Sequence, residues 1–236
     1  MRLVLVATRN PLNIGAAARA MSNFGFERLR VVRPFDEAFR EARSAVGAPN
    51  LLKNAEVFST VAEAVADCSL VVGTSAVGTR QIEIPVHPLE AAGPMIRARL
   101  AAERVGLLFG SEKRGLSNDD LSYCNWLLRI PTRAEHISMN LGQAVAVCLY
   151  ELIRTTENAH TEQAANAVEA ASGAELDRLT HALLDALAAS GYIKPGTEGA
   201  TEEKTRKLVR RLQLNSLDAE TMTGVFAKIF KAGKRV

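Results

Sequence analysis

Cysteine is scarce in this 236-residue chain: Cys68, Cys124 and Cys148 lie far apart, with no Cys-x-x-Cys pair. An odd count at such spacing argues against both a disulfide framework and a thiolate metal site, and predicts small buried or half-buried apolar side chains in a reducing compartment. Histidine is equally sparse, and His87, His136, His160 and His181 form no helix-spaced or strand-spaced ligand pair, so no metal is expected. Long hydrophobic runs are missing too. No stretch approaches the roughly 20 apolar residues that span a bilayer. The opening Met1-Arg2-Leu3-Val4-Leu5-Val6-Ala7 lacks the longer apolar core and small-residue cleavage site of a secretory signal. A soluble, cytoplasmic protein with no membrane partner is expected. Neither sign of charge dominates: 29 Lys and Arg face 26 Asp and Glu, a net +3 that permits a polyanionic partner without requiring one. Where the cations lie matters more than their sum.

What the chain does contain is ordinary for a globular protein, with 47% hydrophobic and 23% charged residues. Short, continuously apolar runs at 2–6, 29–33, 57–60, 69–73, 105–109 and 126–130 suit strands buried on both faces of a mostly parallel sheet. Helical patterns fall between them, at 13–24 with Gly25 as a C′ residue, 62–67, 88–103 and 138–154, the last with Leu141, Val145, Leu149 and Leu152 on one side. This alternation predicts an α/β fold, doubly wound, over residues 1–155. Residues 156–172 are polar and alanine-rich and read as a linker or helical extension. Residues 173–236 read as a small C-terminal helical unit, opened by the capping box Ser172-x-x-Glu175 and continued by helices near 202–212 and from Ser216. Lys204, Arg206, Lys207, Arg210 and Arg211 crowd one of these helices. A solvated charged face and a phosphate-contacting surface both fit, but the absence of interleaved aromatics argues against base stacking.

Three polar-and-glycine islands, 10–20, 109–116 and 137–144, sit where apolar runs meet helical patterns, the place where open α/β sheets form their ligand crevice. Together they suggest one assembled site. Gly110-x-x-x-x-Gly115 begins like a P-loop, yet Leu116-Ser117 replaces the Lys-Ser/Thr that would hold phosphate and magnesium. The first strand-to-helix turn carries Asn10-Pro11-Leu12-Asn13 instead of Gly-x-Gly-x-x-Gly, which excludes the Rossmann fingerprint. The islands hold no nucleophile-base pair. They offer small residues, hydroxyls, amides and one acid, a set able to present backbone N–H and C=O groups to a heterocycle in a close slot, with Gly110 allowing close backbone approach. Arg19 on a helix is by default a surface ion-pair partner, although four surrounding alanines leave space for a phosphate to reach it. Glu112 alone reads as a loop carboxylate. Asn140 reads as a residue at a helix start, with Ser138 as the natural N-cap there and Asn13 as an N-cap for the first helix.

These islands resemble the three sequence motifs of the SpoU/TrmH branch of the SPOUT RNA methyltransferases. The first is Asn13-Ile-Gly-Ala-Ala-Ala-Arg19, the second Leu108-Phe-Gly-Ser-Glu112-x-x-Gly115-Leu, and the third Ile130-Pro131 followed by Ser138-Met-Asn140-Leu. The whole layout, including Gly73-Thr74-Ser75-Ala76 and Gly191-Tyr192-Ile193, is similar to bacterial tRNA ribose methylases of this branch that act on nucleotide 32 of the anticodon loop. The resemblance implies a trefoil knot in the α/β domain, S-adenosyl-L-methionine as cofactor, transfer to a ribose 2′-hydroxyl and a homodimer. tRNA is the implied partner, and another tRNA site or rRNA the alternative. It also implies cofactor contacts from Thr74, Ser75, Ala76, Gly110, Ile130, Ile137, Ser138 and Met139. Arg19 takes the position of the catalytic arginine, with Asn13, Glu112 and Asn140 as companions that would orient it and the ribose. A guanidinium hardly loses its proton, so Arg19 fits phosphate binding and stabilisation of a developing alkoxide better than general-base work. Arg80 is a further candidate contact to RNA or cofactor. Two rival readings remain: an RNA-binding module without transfer activity, and a scaffold whose islands are mere loops.

Overall fold

The computed structural model describes residues 1–44, 50–76, 84–154 and 169–233. Arg80 and most of the expected linker lie outside the described residues. Along the chain run β1 (Arg2–Val6), α1 (Pro11–Asn23), β2 (Leu29–Val32), α2 (Asp36–Ser44), α3 (Asn50–Lys53), β3 (Glu56–Phe58), α4 (Val61–Ala64), β4 (Leu70–Thr74), β5 (Val86–Pro88) and α5 (Leu89–Leu100). There follow β6 (Val105–Phe109), α6 (Asn118–Ser122), β7 (Trp126–Arg129), α7 (Leu141–Ile153), α8 (Gly173–Ala189), α9 (Glu198–Arg211) and α10 (Ser216–Gly233).

The seven strands form one sheet in the order β3-β2-β1-β6-β4-β7-β5, with every pairing parallel. Because successive strand residues point to opposite faces, β1 feeds two cores. Leu3 and Leu5 join Ile14, Met21, Ile96, Val145 and Leu149 under α1, α5 and α7. Val4 and Val6 join Val61, Val65, Leu116 and Leu121 under α4 and α6. All three cysteines are buried, and burial pushes each thiol up to about 12, so they act as small apolar side chains.

β5, α2, α3 and α6 are additions to the sequence expectation, and the helix expected from residue 88 begins one residue after β5. Two caps also move. Asn10, not Asn13, caps α1, its side chain accepting from Leu12 N at 2.9 Å, with Pro11 at the first helical position where its missing N–H costs nothing. Asn140, not Ser138, caps α7.

The three C-terminal helices share a core of Ala171, Leu176, Leu179, Val209 and Ala219. They are tied to the connection between α4 and β4 through Gly173 N to Cys68 O at 2.8 Å and Ala174 N to Ala66 O at 2.9 Å. Residues 169–172, expected as linker, pair instead with 214–216 through Ala171 N to Leu214 O and Ser216 N to Glu169 O, both at 2.9 Å. Among the described residues no helix is long and apolar enough to cross a membrane.

Candidate functional site

At the carboxyl ends of β4, β6 and β7 the loops that follow enclose a cavity of about 380 Å³, within the range of small-molecule sites. β4 delivers Thr74, Ser75 and Ala76. Thr74 Oγ1 donates to Leu108 O at 2.9 Å and Ser75 N to Leu128 O at 3.0 Å, which pins this wall to both neighbouring strands. β6 delivers residues 109–116, and β7 delivers Leu128, Ile130 and Thr132, with Ile137, Ser138 and Met139 closing the fourth side before α7. All eight residues expected to contact a cofactor line this one cavity.

Gly110 permits a close approach of another kind from the one expected. A Cβ there would lie 2.0 Å from Gly115 C and 2.2 Å from Leu116 N, so the loop folds against its own backbone. The turn is held by Gly115 N to Ser111 O at 2.8 Å. It projects Glu112 toward the β1–α1 connection. There Glu112 accepts from Arg9 N and Asn10 N, each at 3.2 Å, and from Asn13 Nδ2 at 3.1 Å. Partial burial would raise its pKa, but these bonds and one from its own N–H prevail and hold the carboxyl below its ordinary range.

The ionised carboxylate sets the direction of everything beyond it. It can only accept, so Asn13 turns its amide nitrogen toward Glu112 and leaves Oδ1 facing Asn140. Asn140 Nδ2 donates to that oxygen at 2.8 Å, and Asn140 Oδ1 accepts from Gln143 N at 3.3 Å as the α7 cap. One residue from each of the three islands thus forms a single directed relay at the cavity wall. Each Asn amide retains a second N–H for a ligand.

Arg19 stands apart from this relay. Six residues beyond Asn13 means about 240° around α1 and about 9 Å along it. That places Arg19 on the exposed stripe with Leu12 and Ala16, and among the described residues no carboxylate pairs with it. In a single chain Glu112 and Asn140 therefore orient Asn13 and each other, not Arg19.

Five exposed cations lie on or next to the segments that build the cavity. Lys113 and Arg114 line the cavity, Arg129 and Arg133 flank the lining residues Leu128, Ile130 and Thr132, and Arg9 belongs to the segment held by Glu112. All five are exposed, and none makes an ion pair among the described residues. Their signal was present in the sequence, since four of them lie inside or beside the second and third motifs. The basic run on α9 behaves in the opposite way. Arg206 and Arg210 are buried and ion-paired, and Lys207 pairs with Glu203, so these three are not open to phosphate, while Lys204 and Arg211 stay exposed. Among the described residues no cluster of three or more His, Cys, Asp or Glu could hold a metal.

A parallel sheet with a crevice built from these three loops is an α/β fold with one assembled site at its carboxyl edge. The sequence model of the SpoU rRNA Methylase family matches residues 1–150, and the chain belongs to that family. It is 35% identical over 240 residues to the tRNA (cytidine/uridine-2′-O-)-methyltransferase TrmJ of Klebsiella pneumoniae, covering 99% of this chain and 98% of that protein. The crystal structure of TrmJ from Z. mobilis ZM4 superposes with a TM-score of 0.83 at 34% identity, covering 97% of this chain and 98% of that one. The SpoU methyltransferase AviRb of Streptomyces viridochromogenes, solved in complex with the cofactor AdoMet, shares the fold over 64% of this chain and 56% of its own, with a TM-score of 0.50 at 21% identity.

Proposed function

We propose that this chain transfers a methyl group from S-adenosyl-L-methionine to a ribose 2′-hydroxyl of tRNA, on the cytidine or uridine at nucleotide 32, and that it works as a homodimer in the cytoplasm. The observation that carries this reading is the Glu112–Asn13–Asn140 relay, which joins the three family motifs at the wall of one cavity. The lining suits the cofactor. Three loops offer backbone groups to a heterocycle, Leu128, Ile130 and Leu141 offer apolar surface, and the Glu112 carboxylate meets a cationic ligand. When bound, S-adenosylmethionine supplies a methyl group already activated by its sulfonium.

The chain's own residues hold the acceptor. Arg9, Lys113, Arg114, Arg129 and Arg133 give the rim the local positive charge that the modest net charge of +3 conceals, and such a rim binds an RNA backbone through its phosphates. The spare N–H groups of Asn13 and Asn140 fix the ribose edge, so that alignment supplies much of the rate. Arg19 keeps its proton and binds the phosphate beside the target ribose, countering charge that develops on the 2′-oxygen as the hydroxyl proton passes to solvent.

A dimer is supported by the second face of α7. One face is buried through Val145, Leu149 and Leu152, while Val147, Tyr150 and Ile153 leave an exposed apolar stripe. The family's trefoil knot is supported by the sheet order, in which β6 enters between β1 and β4 and β7 between β4 and β5. The test is Arg19→Ala. Calorimetry should show unchanged S-adenosylmethionine affinity while transfer to a tRNA transcript falls by about 100-fold or more. Loss of cofactor affinity instead would remove Arg19 from the role assigned to it.

A further inference from the structure

Of the two buried cations of α9, Arg210 turns its guanidinium to Asp177 and Gly173 O of α8, whereas Arg206 reaches α6, the helix that follows the cavity loop. Leu116 and Leu121 line the cavity from the segment that carries α6. On the opposite side of α6, Arg206 Nη1 donates to Asp119 Oδ1 at 2.9 Å and to Ser122 Oγ at 2.7 Å, and its guanidinium carbon sits 4.2 Å from the centroid of the Tyr123 ring. Its other terminal nitrogen holds Glu202 one turn back on α9. Four residues further along, Arg210 O accepts from Asn125 Nδ2 at 3.1 Å, and Asn125 bonds Val71 of β4 through both its N–H and its Oδ1, each at 2.8 Å. So α9 grips both ends of the turn between the cavity loop and β7.

Stability alone does not account for this arrangement. Burying a guanidinium incurs a desolvation penalty that an apolar contact of similar volume avoids, and such a contact is often as stable or more so. What the ionic and hydrogen-bonded cluster adds is direction: a planar fork fits one placement of Asp119 and Ser122, whereas a greasy contact tolerates sliding.

We propose that Arg206 is a positioning residue for the cavity, fixing α6 and with it the Leu116–Leu121 wall, so that the C-terminal helices set how tightly the cavity holds its ligand. This rests on the reading of the cavity as the S-adenosylmethionine site. Arg206→Met in the full chain keeps the bulk and removes the fork. It leaves Asp119 and Glu202, whose side chains are 62% and 45% exposed, solvated by water, so no buried carboxylate is orphaned. Two measurements are made: amide hydrogen exchange over residues 111–123, which needs no ligand, and calorimetric affinity for S-adenosylmethionine.

We expect exchange over 111–123 to quicken while that of β1 and α1 is unchanged, and affinity to fall by about five- to tenfold, in line with couplings carried through a packed element. Affinity for unmodified tRNA without cofactor should stay within about twofold, and Arg206→Lys, with the charge but not the fork, should lie between the two. The double variant Asp119→Asn, Ser122→Ala removes the same grip from the α6 side and should reproduce both effects even if Arg206→Met folds poorly. Unchanged exchange together with affinity within twofold of wild type, in either variant, overturns the proposal. Failure of the wild-type protein to bind S-adenosylmethionine would instead overturn the reading of the cavity, while the exchange result would still decide whether Arg206 holds α6.

Discussion

Glu112 shows how one ionised side chain organises a site. Its hydrogen bonds to Arg9 N, Asn10 N and Asn13 lower its pKa in the fold, so the charged form is favoured by folding. The folded pKa lies below the ordinary value of 4.5, so the carboxylate's contribution to stability is fully present above about pH 4.5. It is lost as the pH falls through the depressed folded value. Glu112→Gln imitates the protonated form and disturbs the direction of the relay. Thermal unfolding should show the variant less stable than wild type at pH 7, with the gap closing below about pH 4.5. A gap of constant size would mean that the charge on Glu112 does not matter. Transfer at neutral pH should fall by about 10- to 100-fold in the variant, since displaced asparagines misplace the ribose. The sequence shows Glu112, Asn13 and Asn140 as motif members, but each alone reads as an unremarkable loop or cap residue. Asn140 is in fact a cap as well, its two amide ends serving the helix and the relay at once.

Among elements, α1 and α7 matter most, because each carries one asparagine of the relay. They meet at Gly142, where a Cβ would lie 2.5 Å from the Cβ of Ala16. Alanine in place of glycine ordinarily stabilises a helix by about 1 kcal/mol. Here the contact is too short for any two carbons to share, and overpacking by about 1–3 kcal/mol decides the sign. Gly142→Ala should therefore lower stability in denaturant unfolding, with the midpoint reduced and the slope unchanged. A stabilised variant would show that the two helices are free to part. The other six strands, α1, α7 and the capping box of α8 are legible because periodicity and capping chemistry are local. β5 is not: Pro85 precedes it and its last residue, Pro88, has no N–H to donate, and it exists through pairing with β7 and the packing of His87 on Trp126. The fate of the α9 cations was equally hidden, since their acceptors Asp119 and Asp177 lie 87 and 33 residues away in sequence.

At the scale of the whole molecule, the motifs foretold that three distant segments meet, and periodicity gave the layered α/β plan. Neither could say that Arg19 would stand outside its own chain's cavity. Its position follows from helical phase combined with the packing of α1, and it lies on the exposed stripe with Leu12 and Ala16, beside the surface proposed to meet a second copy. If Arg19 acts across that face, mixing Arg19→Ala with Glu112→Gln protomers should restore part of the transfer that each lacks alone, because a mixed dimer holds one intact site. No recovery after subunit exchange would confine Arg19 to its own chain. The most direct measurement of the central claim is mass spectrometry of an unmodified tRNA transcript after incubation with the purified protein and S-adenosylmethionine. The account predicts one added methyl group, on the ribose of the cytidine or uridine at nucleotide 32. A methyl group on a base, or none despite bound cofactor, would contradict it.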